Sequence, residues 1–204
     1  MDQGRWSRRA LRLSYFTVGY NVIEGVASVA VGAAAGSVAL VGFGMDSFVE
    51  SLSGGVMIWR FRAGGDACDA ETERKERRAL KLVGYTFFAL GAYVLVEALR
   101  KLATGERPET SAAGIAIAVV SLIVMPLLFV AKKRTAERLG SRSLKADAKQ
   151  TLACMGMSAG VLAGLVLNHA LGFWQADPAV AIAIAVLLFK EGREAIVEGK
   201  VCGC

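Results

Sequence analysis

The chain has 204 residues, 54% of them hydrophobic, with a mean hydropathy of +0.47. Soluble domains hold about 45–50% apolar residues, and here the excess collects in long blocks, which excludes a soluble globular domain and a disordered chain alike. The formal charge of +6, from 24 Lys and Arg against 18 Asp and Glu, has to be sorted by loop before any partner is read from it.

Taken in chain order, the apolar blocks predict six transmembrane helices at about Leu13–Ala35, Val38–Trp59, Leu80–Ala103, Ala112–Ala131, Ala146–Leu171 and Ala176–Phe189. The expected fold is an all-α integral membrane bundle. Residues 1–12 form an N-terminal segment, 13–199 the six-helix domain, and 200–204 a short tail ending Cys202-Gly203-Cys204. A cleavable signal peptide is not expected, because the first apolar segment is too long and carries Glu24 in its middle. Only Gly36-Ser37 joins the first two spans, a hairpin-like connection.

The basic residues divide unevenly between the two sides. Arg100, Lys101 and Arg107 fall on one side. The N-terminal arginines, the Arg60–Lys81 connection, the Lys132–Lys149 connection and the C-terminal Lys190, Arg193 and Lys200 fall on the other. The positive-inside rule places that richer side, and with it both termini, in the cytoplasm of a multi-pass cell-membrane protein. Orientation accounts for the positive charge, and nucleic acid is not required.

Ionisable groups within a span cost roughly 2.5–3.5 kcal/mol each, so each calls for a reason. Glu24 lies mid-span in the first helix, Asp46 and Glu50 mid-span in the second, Glu97 nearer the end of the third, and Asp147 at the start of the fifth. Asp46 and Glu50 are four apart and share one helical face. Two carboxylates so placed repel unless a cation lies between them or one is protonated. On the fifth helix Asp147, Gln150, Cys154 and Ser158 follow a three-four-four spacing, and Asn21, Glu24 and Ser28 follow three-four spacing on the first. Three polar stripes facing one another, with oxygen ligands and a thiol, describe a divalent-cation site.

Each residue also has a plainer reading. Glu24 could be a hydrogen-bonded structural carboxyl, Cys154 a small buried hydrophobe, and Gln150 an interhelical donor. Gly156, Gly160 and Gly164 read as a packing stripe on another face of the fifth helix. Cys202 and Cys204 could capture a soft ion but supply only half a tetrahedral site. His169 falls at the end of the fifth span as an interfacial residue. The acidic run from Asp66 to Glu76 reads as a solvated connector.

Six spans, an Asp-x-x-x-acid pair on the second and a ligand pair at four-residue spacing on the fifth resemble the cation diffusion facilitator family. The resemblance rests on Ala35-Gly36-Ser37-Val38-Ala39-Leu40, Asp46-Ser47-Phe48-Val49-Glu50, Ala176-Asp177-Pro178-Ala179 and the Asn21…Glu24 pair, and covers roughly residues 10–199. It implies export of a divalent metal, most often zinc, by alternating access against protons. The partners it implies are metal ions, protons, membrane lipid and a second copy in a homodimer. Its ligand positions fall on Asp46, Glu50, Gln150 and Cys154, with Asp147 a turn away and Glu24 a helper or proton carrier. Glu, Gln and Cys depart from the family's second-helix Asp and its fifth-helix His and Asp, and the thiol favours softer ions such as cadmium, cobalt or iron. The family's C-terminal cytoplasmic domain and His-rich loop are not found in this sequence. No resident cofactor and no enzyme chemistry are expected. The competing readings are a non-transporting metal binder or sensor and, far behind, a thiol oxidoreductase, which would need paired cysteines on the oxidising face.

Overall fold

A computed structural model describes residues 3–62, 70–109 and 111–197, with side chains at all of these except 3, 60, 70–77, 79, 80, 142 and 143. Cys68, Cys202 and Cys204 lie outside the described residues, and so do Asp66, Asp69 and the side chains of Glu71, Glu73 and Glu76. Among the described residues the architecture is all-helical. The six helices are α1 (Gln3–Ala35), α2 (Val38–Arg62), α3 (Ala70–Thr104), α4 (Ala112–Leu139), α5 (Arg142–Leu171) and α6 (Ala176–Val197).

Four of them are long and apolar enough to cross a membrane, over Gly4–Ala35, Lys81–Thr104, Ala112–Leu139 and Leu144–Leu171. Six such spans were expected, and α2 and α6 fall short for different reasons. The first carries Asp46, Ser47, Glu50, Ser51 and Ser53, all buried inside the bundle. The other is the shortest helix, and its last turns hold Lys190, Glu191, Arg193 and Glu194. The outside of the bundle is apolar, since Ile23, Leu82, Leu127 and Leu171 are each at least 68% exposed. An apolar exterior around polar interior stripes suits lipid surroundings and would be a liability in water.

The most extensive helix pairs are α1 with α2, α3 with α6 and α4 with α5. Central α2 also packs against α3, α5 and α6. Glycines let two of these pairs approach closely. A Cβ at Gly44 would stand 2.9 Å from the Gly25 carbonyl oxygen, and one at Gly192 the same distance from that of Gly84. On α5 the glycine stripe is used only in part. Gly160 and Gly164 face Val180 of α6, whereas Gly156 faces open space.

One end of the bundle is tied together at the α1–α2 turn. Gly36 takes φ +63°, a left-handed conformation that favours glycine. Asp177 at the start of α6 accepts from the Val38 N–H at 3.0 Å and from the Ser37 hydroxyl, so it caps α2 from a distant part of the chain. Lys101 at the end of α3 donates to the Gly36 carbonyl. Glu109 N–H donates to the Ala35 carbonyl at 2.8 Å, and Asn168 of α5 donates to the Pro108 carbonyl at 3.1 Å. Thus Ala35–Leu40 and Ala176–Ala179, two separate phrases in sequence, form a single hydrogen-bonded knot.

Candidate cation site

The site grows from the inward face of α2. Asp46 and Glu50, one turn apart, are both buried. Asp46 lies eight residues beyond Val38, about 12 Å along the helix from the capped end. From α1, Glu24 approaches this face: its Oε2 accepts from the Ser47 hydroxyl at 2.9 Å and its Oε1 from the Tyr20 phenol at 2.8 Å. Two donors on one carboxylate fix its position, so the hydrogen-bonded structural role considered for Glu24 has a geometric basis. Asn21 and Ser28, its stripe neighbours, are buried, and neither the Asn21 amide nor the Ser28 hydroxyl has a hydrogen-bond partner.

From α5 the inward stripe is Asp147, Thr151, Cys154 and Ser158, all buried. Gln150 is only half-buried, and Thr151 takes the interior place expected for it. The Thr151 hydroxyl donates to Glu50 Oε1 at 2.8 Å, which joins α5 to α2. Cys154, a free thiol, follows one turn further along the same face. The Ser121 and Ser158 hydroxyls, 2.8 Å apart, join α4 to α5.

Lys132 was assigned to a cytoplasmic connection on sequence, and its position in the fold is different. It lies on α4 with a side chain 0% exposed, its ammonium 2.9 Å from Asp147 Oδ2, 2.8 Å from Thr151 Oγ1 and 3.7 Å from Glu50 Oε1. Burying one ion alone would cost several kcal/mol, and the two carboxylates with the hydroxyl offset that. Among the described residues no three of His, Cys, Asp and Glu stand close enough together to hold one metal ion. An internal ammonium stands between Glu50 and Asp147 instead. The second oxygen of Glu50, Oε2, is buried with no hydrogen-bond partner, and so are both oxygens of Asp147, whose contact with Lys132 is an ion pair without hydrogen-bond geometry. In a dry interior an unpartnered carboxylate oxygen is costly, and a cation is the partner that suits it.

The remaining candidates lie elsewhere. His169 is exposed near the end of α5. Glu97 is no orphan charge: Arg100 donates to it at 3.0 Å and also pairs with Glu106 at 2.8 Å on the surface.

The cation efflux transmembrane domain family matches residues 15–200, nearly the whole chain. The chain belongs to the cation efflux family. It is therefore an integral membrane protein of a family that carries metal cations, not an enzyme family. Transmembrane protein 163 of Xenopus laevis is 24% identical over 195 residues, which cover 95% of this chain and 68% of that protein. In this cation efflux protein the buried acidic face of α2 and the thiol of α5 sit in the matched region, while Lys132 and Thr151 are features that the acidic and thiol spacing did not reveal.

Proposed function

We propose that the protein exports a divalent transition-metal cation from the cytoplasm by alternating access, zinc first, with cadmium, cobalt and iron as further cargo. Asp46 and Glu50 supply carboxylate oxygens and Cys154 a thiolate, a donor set suited to borderline and softer ions once a movement of α2 against α5 brings together side chains that stand apart in this conformation. One observation carries the reading above the others: Glu50 Oε2 is buried without a partner one turn from the buried Asp46. Asp147, whose carboxylate pairs with Lys132, acts in this reading as that ammonium's partner and not as a ligand. Cytoplasmic termini and coupling to inward proton movement belong to the same proposal, and the charge asymmetry of the connections supports the orientation.

The test is metal uptake into proteoliposomes, with and without a pH gradient, across Zn²⁺, Cd²⁺, Co²⁺, Fe²⁺ and Mn²⁺. Flux that Asp46→Ala abolishes is the expected outcome, and acceleration by the gradient would mark antiport. Tight, Asp46-dependent binding without flux would replace the transporter with a binder or sensor.

A further inference from the structure

Lys132 has no part in ligand chemistry, yet it occupies the interior of the cluster that supplies it. The buried line of α4 runs Gly114, Ala118, Ser121, Met125, Leu128, Lys132 and Thr135, at steps of three and four. Lys132 therefore stands on the inward seam by helical register. Its contacts are unequal. The ammonium is at direct ion-pair distance from Asp147, 2.9 Å, and only at 3.7 Å from Glu50. Thr151 bridges the gap by accepting from Lys132 and donating to Glu50, each at 2.8 Å. The ion pair with Lys132 leaves both Asp147 oxygens without a hydrogen bond, so Lys132 and Asp147 alone do not close the cluster. The fold adds Glu50 to the pair and leaves Glu50 Oε2 open.

We propose that Lys132 is a tethered counter-cation, whose ammonium is shared between Asp147 and Glu50 in the empty carrier and is left to Asp147 alone when a divalent cation binds at Glu50. This rests on the reading of Asp46, Glu50 and Cys154 as the cargo ligands. Two cations cannot share Glu50 closely in a low-dielectric interior without strong repulsion. The arrival of cargo at Glu50 Oε2 therefore drives the ammonium toward the carboxylate it already contacts more closely. Departure of cargo lets it return, so the empty site does not reorient with a bare carboxylate in the membrane interior. Lys132 is thus a positioning residue that opposes tight retention of the cargo, while Asp147 holds it back from Glu50.

The two residues then have opposite effects, which a structural ion pair would not give. In Asp147→Asn the ammonium loses its alternative partner and presses on Glu50, so binding of Zn²⁺ and Cd²⁺ weakens by roughly tenfold. In the double variant Lys132→Met/Asp147→Asn one charge of each sign is removed and no uncompensated ammonium remains. That variant binds both ions roughly tenfold more tightly than the wild type and releases them more slowly in proteoliposome flux. Binding is measured by calorimetry on the purified full chain in detergent, with monodisperse elution and thermal melting as the check on folding. Lys132→Arg, which keeps the charge, stays closer to the wild type than the double variant does. Wild-type binding that neither Asp147→Asn nor the double variant alters would overturn the counter-cation and leave the transporter reading standing. Binding seen only in the double variant would make Lys132 a permanent occupant, against both readings. Absence of binding in every protein would refute the cargo ligands themselves and the counter-cation with them.

Discussion

Asp177→Asn tests whether the knot at the α1–α2 turn holds the acidic helix in place. The substitution keeps the shape of the side chain and one carbonyl acceptor but removes the charge. Asp177 is buried and accepts from the Val38 N–H at 3.0 Å and from the Ser37 hydroxyl, while Ser37 Oγ accepts from the Leu40 N–H at 3.1 Å. A hydrogen bond to a charged group contributes about 1.5–3 kcal/mol, and a carboxylate at a helix N-terminus up to about 2 kcal/mol more. Asparagine keeps the weaker half of this, so the loss is about 2–4 kcal/mol. For a chain of this size each kcal/mol moves the melting temperature by about 2–4 °C, so the midpoint falls by roughly 4–16 °C. Thermal unfolding in detergent, followed by tryptophan fluorescence at one fixed scan rate, reads that shift, because membrane proteins commonly unfold irreversibly. Ser37→Ala, which removes a donor to the same carboxylate, falls in the same direction by a smaller amount. A midpoint for Asp177→Asn within a degree of the wild type would refute the reasoning, since the carboxylate would then cap nothing that matters to the fold.

Gly44→Ala is expected to destabilise by about 1–3 kcal/mol, because its Cβ would come within 2.7 Å of Ser28 Cβ, whereas Gly156→Ala, with nothing within 4 Å, is neutral or slightly stabilising. Equal melting temperatures for the two would disprove the close crossing of α1 and α2. Cys154→Ser is expected to lower Cd²⁺ flux at least tenfold more than Zn²⁺ flux, as a hydroxyl replaces a soft donor, and a parallel loss for both ions would remove the thiol from the ligand set. Glu191, beyond the sixth apolar segment, has its carboxyl raised to about 7 by burial first and then by Glu194 and Glu50, with Lys190 and Lys149 opposing. Between the usual glutamate value and about 7 the folded protein keeps a proton that the unfolded chain has released, so stability falls as pH rises through that window. Glu191→Gln flattens this dependence in melts from pH 4.5 to 7.5, and an unchanged slope would show that the carboxyl is not buried enough to matter.

Helix number and order were legible because most of the apolar blocks are long and three of the five breaks between them fall on Gly36-Ser37, Gly105 and Gly172. The acidic face of α2 was legible too, since a carboxylate pair at four-residue spacing has few explanations inside a membrane. Hydropathy misplaced Lys132. A window average sees Lys132, Lys133 and Arg134 as the start of a basic connection, yet only the first of the three continues the spacing Ala118, Ser121, Met125 and Leu128. The register of α4 carried the signal that composition concealed, because a lone charge on an otherwise apolar seam is averaged away.

The difference between Gln150 and Thr151 has a similar origin. Measured from Asp147 at about 100° per residue, Gln150 lies about 60° to one side of the stripe and Thr151 about 40° to the other, while Cys154 and Ser158 lie within about 20°. Both fit a stripe loosely drawn, and an amide at that position attracts the eye where a threonine does not. What decides between them is the partner across the interface. A buried carboxylate such as Glu50 needs a donor within reach, and a short β-branched hydroxyl on the nearer side can deliver one at 2.8 Å while also accepting from Lys132. Helical register narrows a site to a strip about one side chain wide; choosing within the strip takes the charge on the opposing helix.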